Sequence, residues 1–190
     1  MSWLAILLMA AAAGFVATNG GRAQWLVVGL ARKLGASQGL LLSALLASSV
    51  TTALAAWLGS IAASHFGEAA LQWLAALAML GASAELLWPV RMREVDEPNR
   101  SLGAISLVLI ARQLVDAPRL IVLAAATQLG PASLLALGGA LGAGLCLWFG
   151  WRFRDIIDRR FSAIATRWAM GLVLLVLAVL LGAEAVKLAG

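Results

Sequence analysis

Apolar runs long enough to cross a bilayer recur along this chain, and they constrain its fold more than any other feature. They are Ser2–Ala31, Gln38–Ala62, Ala69–Pro89, Leu102–Gln128, Ala132–Trp151 and Ser162–Leu188. A membrane helix needs about 20 residues, so six spans use about 120 and leave only short connections. Composition agrees: 63% of the 190 residues are hydrophobic and 12% charged, too few charges to cover a water-soluble surface. The expected fold is an all-α polytopic membrane protein, a single membrane domain over residues 1–190.

The charged residues report orientation. Lys and Arg number 14 against 9 Asp and Glu, an excess that would point to nucleic acid were the basic residues not gathered between apolar runs. They form three clusters: Arg32 and Lys33; Arg91, Arg93 and Arg100; and Arg152, Arg154, Arg159, Arg160 and Arg167. The connections Ser64–Glu68 and Thr127–Ala132 carry no Lys or Arg. This alternation is the positive-inside pattern, so the partners expected are membrane lipids and not nucleic acid. The first apolar run lacks the positive n-region of a signal peptide, and counting it as a span puts all three clusters on one side. Both termini then lie outside the cytoplasm. The single cysteine, Cys146, excludes an intramolecular disulfide and a thiolate metal cluster, and it reads as a small core residue.

Two runs are interrupted. In the first, "ATNGGRAQ" (Ala17–Gln24) crowds polar residues and two glycines into an apolar segment. In the fourth, Pro118 removes a backbone donor. Irregular backbone at membrane depth persists only where protein or a wet cavity covers it, so both breaks are expected to face inward. Sliding the chain by 95 residues aligns "ATNGGRAQWLVVGLARKLG" (Ala17–Gly35) with "RQLVDAPRLIVLAAATQLG" (Arg112–Gly130). Identities are few, but each copy has a polar head, an apolar tail and a Leu-Gly exit. Residues 1–95 and 96–190 thus read as two three-helix repeats, and an odd number of spans inverts the second relative to the first. Inverted repeats with interrupted first helices are a transporter design, with the site near the midplane.

At these stretches the chain resembles the Gdt family of calcium/manganese:proton exchangers, which includes Golgi transporters and bacterial manganese exporters. That family carries two copies of Glu-x-Gly-Asp-Lys-Thr-Gln. "LQWLAALAMLGASAELLWPVR" looks like its third helix, and "RMREVDEPNR" like its central loop. In the first copy Thr18 stands for the Glu, Gly21 for the Asp, Arg22 for the Lys and Ala23 for the Thr, while Gly20 and Gln24 match. In the second, Gln113 stands for the Glu, Asp116 is retained, and Ala117, Pro118 and Arg119 replace Lys-Thr-Gln. The resemblance implies a secondary transporter of a bacterial inner membrane, exchanging Mn2+ or Ca2+ for protons and needing no cofactor. A homo-oligomer is compatible with it. The ion pathway it implies comprises Thr18, Gly21, Arg22, Gln24, Gln113, Asp116 and Arg119, with Asn19 and Arg112 behind them and Asp116 as the one metal-binding carboxylate.

Charge counting opens alternatives. Arg22, Arg112 and Arg119 face one aspartate, whereas a hard divalent cation wants several anionic oxygens. The same scaffold retuned to an anionic or zwitterionic substrate is a second reading, and a non-transporting partner subunit a third. Arg112, Asp116 and Arg119 are spaced i, i+4, i+7, which shares one face if the helix persists. Asp116 then carries a coupling proton or belongs to a packing cluster, and Arg22 pairs with Asp116 or addresses an anion. "SSVTT" (Ser48–Thr52) and "GGALGAGL" (Gly138–Leu145) read as close-packing surfaces, Glu85 as snorkelling toward the basic loop, and His65 as a solvated loop residue. The sequence contains no nucleophile–base pair, His/Cys cluster or phosphate loop, so no enzymatic activity is expected.

Overall fold

The computed structural model describes residues 2–35, 37–88, 101–154 and 162–189, and every regular element in them is an α-helix. Eight are described: α1 (Trp3–Thr18), α2 (Arg22–Leu34), α3 (Gln38–His65), α4 (Glu68–Leu87), α5 (Leu102–Gln113), α6 (Ala117–Gln128), α7 (Ala132–Arg152) and α8 (Ser162–Ala189). Pro89 and the arginines at 91, 93, 100, 159 and 160 lie outside the described residues. Serines open three of the helices by capping an N-terminal N–H: Ser2 accepts from Ala5, Ser37 from Leu40 and Ser101 from Ala104.

Four helices, α3, α4, α7 and α8, are long and apolar enough to cross a membrane, and the α1–α2 pair makes a fifth if taken as one span bent by 62°. The fourth apolar run is split into α5 and α6, 12 residues each. At 1.5 Å per residue either half reaches about 18 Å, so neither crosses a bilayer core of about 30 Å alone.

The breaks have local causes. Gly20 turns the first corner with φ 69°, and Asn19 ends α1 by donating its N–H to the carbonyls of Phe15 and Val16. In the second, Asp116 is the N-cap of α6 in an extended conformation, followed by Ala117 and Pro118; proline is favoured in a first turn, where its missing N–H has no helical partner to lose. The two breaks occupy corresponding places in the aligned stretches, Gly21 and Asp116 capping α2 and α6. The Leu-Gly exits correspond too, since Gly35 (φ 84°) and Gly130 (φ 112°) both take the positive-φ conformation that glycine adopts without steric cost.

α1 lies along α7, α4 along α8, and α3 against both α6 and α7. The α1–α7 seam is close because its residues are small: a Cβ on Gly142 would overlap the carbonyl oxygen of Ala11, and one on Gly138 would sit 2.5 Å from that of Leu7. "GGALGAGL" is thus the packing surface expected. Ala17 at the end of α1 and Ala117 at the start of α6 share one buried cluster with Ala82 and Leu86 of α4, so the two breaks meet beside the end of α4.

Candidate functional site: a buried arginine between two helix breaks

Arg119, only 1% exposed, is the centre of the second break. Its Nη1 donates to Oδ2 of Asp116 at 3.2 Å. Its Nη2 donates to Oε1 of Gln113 at 2.7 Å and to Oγ and the carbonyl oxygen of Ser48 at 2.8 and 3.3 Å. Its Nε donates to Oγ1 of Thr51 at 3.0 Å. The local sequence explains why Asp116 is available to it. An N-cap carboxylate ordinarily accepts an N–H from the second or third helical residue. Here the second is Pro118, which has none, and the N–H of Arg119 goes to the Asp116 backbone carbonyl. The carboxylate makes no cap bond and turns to the guanidinium. Oδ1 of Asp116 and Nε2 of Gln113 are buried and have no hydrogen-bond partner among the described residues.

The first break carries its own ionic group. Arg167, from the first turns of α8, donates through Nη1 to the carbonyl of Gly20 at 3.0 Å and through Nη2 to the backbone carbonyl of Glu85 at 2.8 Å. Oε1 of Glu85 lies between two guanidiniums, 3.5 Å from Nε of Arg22 and 3.6 Å from Nη2 of Arg167. Arg167 is 5% exposed, whereas the Arg22 side chain is 43% exposed. This group ties the corner at Gly20 to α4 and α8.

Gln24 occupies the place in α2 that Arg119 occupies in α6. Its Oε1 accepts from the N–H of Gly20 at 2.6 Å, and its Nε2 donates to the carbonyl and sulfur of Cys146. In the sequence alignment Cys146 is the counterpart of Thr51, so each half-helix sends its third residue to matching positions on α7 and α3.

Neither family models, nor curated proteins, nor solved structures give a match to this chain.

The structure gathers some of the candidate residues and separates others. Gln113, Asp116 and Arg119 converge. Arg22 pairs with Glu85 and not with Asp116. Gly21 caps α2 close to the Thr18 carbonyl. Thr18 is buried, but its hydroxyl donates back to the Gly14 carbonyl at 2.7 Å, and Asn19 is half-buried at the end of α1. Arg112 is exposed and outside the cluster, because the helix stops at Gln113 and the i, i+4, i+7 face stops with it. Four participants lie outside the expected pathway: the sequence pattern makes Ser48 and Thr51 packing residues, Glu85 a snorkelling residue and Arg167 part of a loop cluster. Glu85 stands inside an apolar run, where an ionisable group is costly, whereas Arg167, near the start of its run, carries no such signal. Among the described residues no three His, Cys, Asp or Glu side chains gather as a metal site.

Proposed function

We propose that this protein is a secondary transporter built from two inverted three-helix repeats, with its exchange site where the two breaks meet. The observation that carries the reading is the buried Arg119–Asp116 pair at the start of a half-helix. An intramembrane ion pair is expensive and marks ion or proton pathways, and half-helix ends at the repeat interface are where such carriers hold cargo. The matched breaks, the matched positive-φ exits and the Gln24–Cys146 and Arg119–Thr51 correspondence support the repeat. The basic connections face the cytoplasm and both termini the outside of a bacterial inner membrane, as the charge pattern suggests.

By resemblance to the Gdt family, the cargo is Mn2+ or Ca2+ exchanged for protons, with Asp116 as the carboxylate that cargo and proton share. A second reading is favoured by the charges: Arg22, Arg119 and Arg167 outnumber Glu85 and Asp116 around the breaks, which suits an anionic or zwitterionic substrate. Purified protein in liposomes distinguishes them. Under an imposed pH gradient, radiolabelled Mn2+ or Ca2+ uptake lost in Asp116→Asn supports cation exchange. Anion-dependent currents without cation uptake support the second reading, and neither flux under any gradient refutes transport.

A further inference from the structure

Every atom that the Arg119 guanidinium touches by hydrogen bonding is an oxygen: Asp116 Oδ2, Gln113 Oε1, Ser48 Oγ, the Ser48 carbonyl and Thr51 Oγ1, at 2.7–3.3 Å. A carboxylate, an amide carbonyl, a backbone carbonyl and two hydroxyls are the donor types that hard cations take. Arginine is planar and permanently charged, and here it converges on these oxygens from a fixed helix position. One further oxygen, Oδ1 of Asp116, is buried there without a hydrogen-bond partner. The corresponding position of the other half, Gln24, carries a neutral amide in a comparable pose toward α7. The asymmetry between the halves is therefore a charge placed inside an oxygen cage.

We propose that Arg119 is the resting occupant of a hard-cation site, a tethered cation that fills the cage and that a free divalent cation must displace before it reaches Asp116. This deepens the transporter reading and rests on it for the site's role, though not for the affinity of the cage. Four of the five oxygens are neutral, so the cage balances one positive charge. A second cation beside the guanidinium would meet like-charge repulsion at a few ångströms in a low-dielectric setting. Cargo reaches Asp116 only when Arg119 swings away, and the resting carrier never exposes a bare carboxylate.

The test is Mn2+ binding followed by electron paramagnetic resonance on purified protein in nanodiscs, which needs no transport. Wild type, in which Mn2+ must first displace the guanidinium, is expected to bind only weakly, with half-saturation above about 1 mM. Arg119→Gln, which puts the amide of the first half into the second, is expected to gain saturable binding at least about tenfold tighter than wild type, and Asp116→Asn in the same background to lose it. Arg119→Lys keeps the charge and is expected to bind Mn2+ as weakly as wild type does. If Arg119→Gln is not monodisperse, Thr51→Ala cuts the Nε tether and is expected to admit Mn2+ with intermediate affinity; binding as weak as in wild type would then overturn the idea. Equal binding by wild type and Arg119→Gln would show that Arg119 does not occupy the site, and no binding by either would show that there is no cage. Absence of all flux in liposomes alongside the gain of binding would sink the transporter reading and leave the tethered cation standing.

Discussion

Removing the charge of Arg119 and the charge of Asp116 has consequences that do not add. Arg119→Gln leaves the Asp116 carboxylate, its side chain 7% exposed, with no cation to balance it. Breaking a buried pair in this way costs about 3–5 kcal/mol. Asp116→Asn is milder: an amide oxygen remains for Nη1, and the other four hydrogen bonds of the guanidinium are to neutral oxygens. Its cost is that of one charge-assisted hydrogen bond, about 1.5–3 kcal/mol. The double variant holds no unpaired charge and is expected to be more stable than Arg119→Gln alone, so the two sites couple by at least about 1.5 kcal/mol, inside the range for residues in contact. The assay is equilibrium unfolding in mixed micelles, read by helical circular dichroism, for all four proteins of the cycle. Costs that add within about 0.5 kcal/mol, the behaviour of independent sites, would refute the argument that this pair is a coupled buried ion pair.

Four other substitutions probe the frame. Gly142→Val places methyl groups where even a Cβ would overlap the Ala11 carbonyl oxygen, and is expected to lower stability in the same assay by about 1–3 kcal/mol through overpacking. Gly39→Ala meets only the movable end of Leu102 and is expected to lie within about 0.5 kcal/mol of wild type. At the first break, Arg167→Met removes a buried partner of both Glu85 and the Gly20 carbonyl and is expected to cost about 3 kcal/mol. Arg22→Ala removes a side chain that is 43% exposed and is expected to cost no more than about 1 kcal/mol; equal losses for the two would contradict the assignment of the clasp to Arg167.

The helices were largely legible in the sequence because their determinants are local. The apolar runs, the glycines at 20 and 21 and the proline at 118 mark the elements and breaks to within a few residues. The match of Gly35 with Gly130 was visible as a Leu-Gly exit and corresponds to two positive-φ turns. What local patterns do not carry is reach across the bundle. Arg167 joins the first break only because α8 packs along α4, so in sequence it is one more basic residue after a loop. Thr51 looks like a packing threonine because its hydroxyl also satisfies the Ala47 carbonyl one turn back; its second use, accepting from Arg119, depends on where α6 lies. The shared face of Arg112 and Arg119 assumed a continuous helix, and three non-helical residues between α5 and α6 remove it.

In the proposed transporter the breaks enclose a site opened alternately to either side of the membrane. Thiol labelling probes this access, since Cys146 is the one native cysteine and it is buried. In a Cys146→Ser background, Gln113→Cys and Arg22→Cys would each be exposed to a membrane-impermeant reagent from one side and then the other of oriented vesicles. An alternating-access carrier is expected to react at both positions from both sides, with the two rates shifting in opposite directions when a pH gradient is imposed. Labelling from one side only, or from neither, unaffected by the gradient, would contradict the account and identify the breaks as fixed packing features.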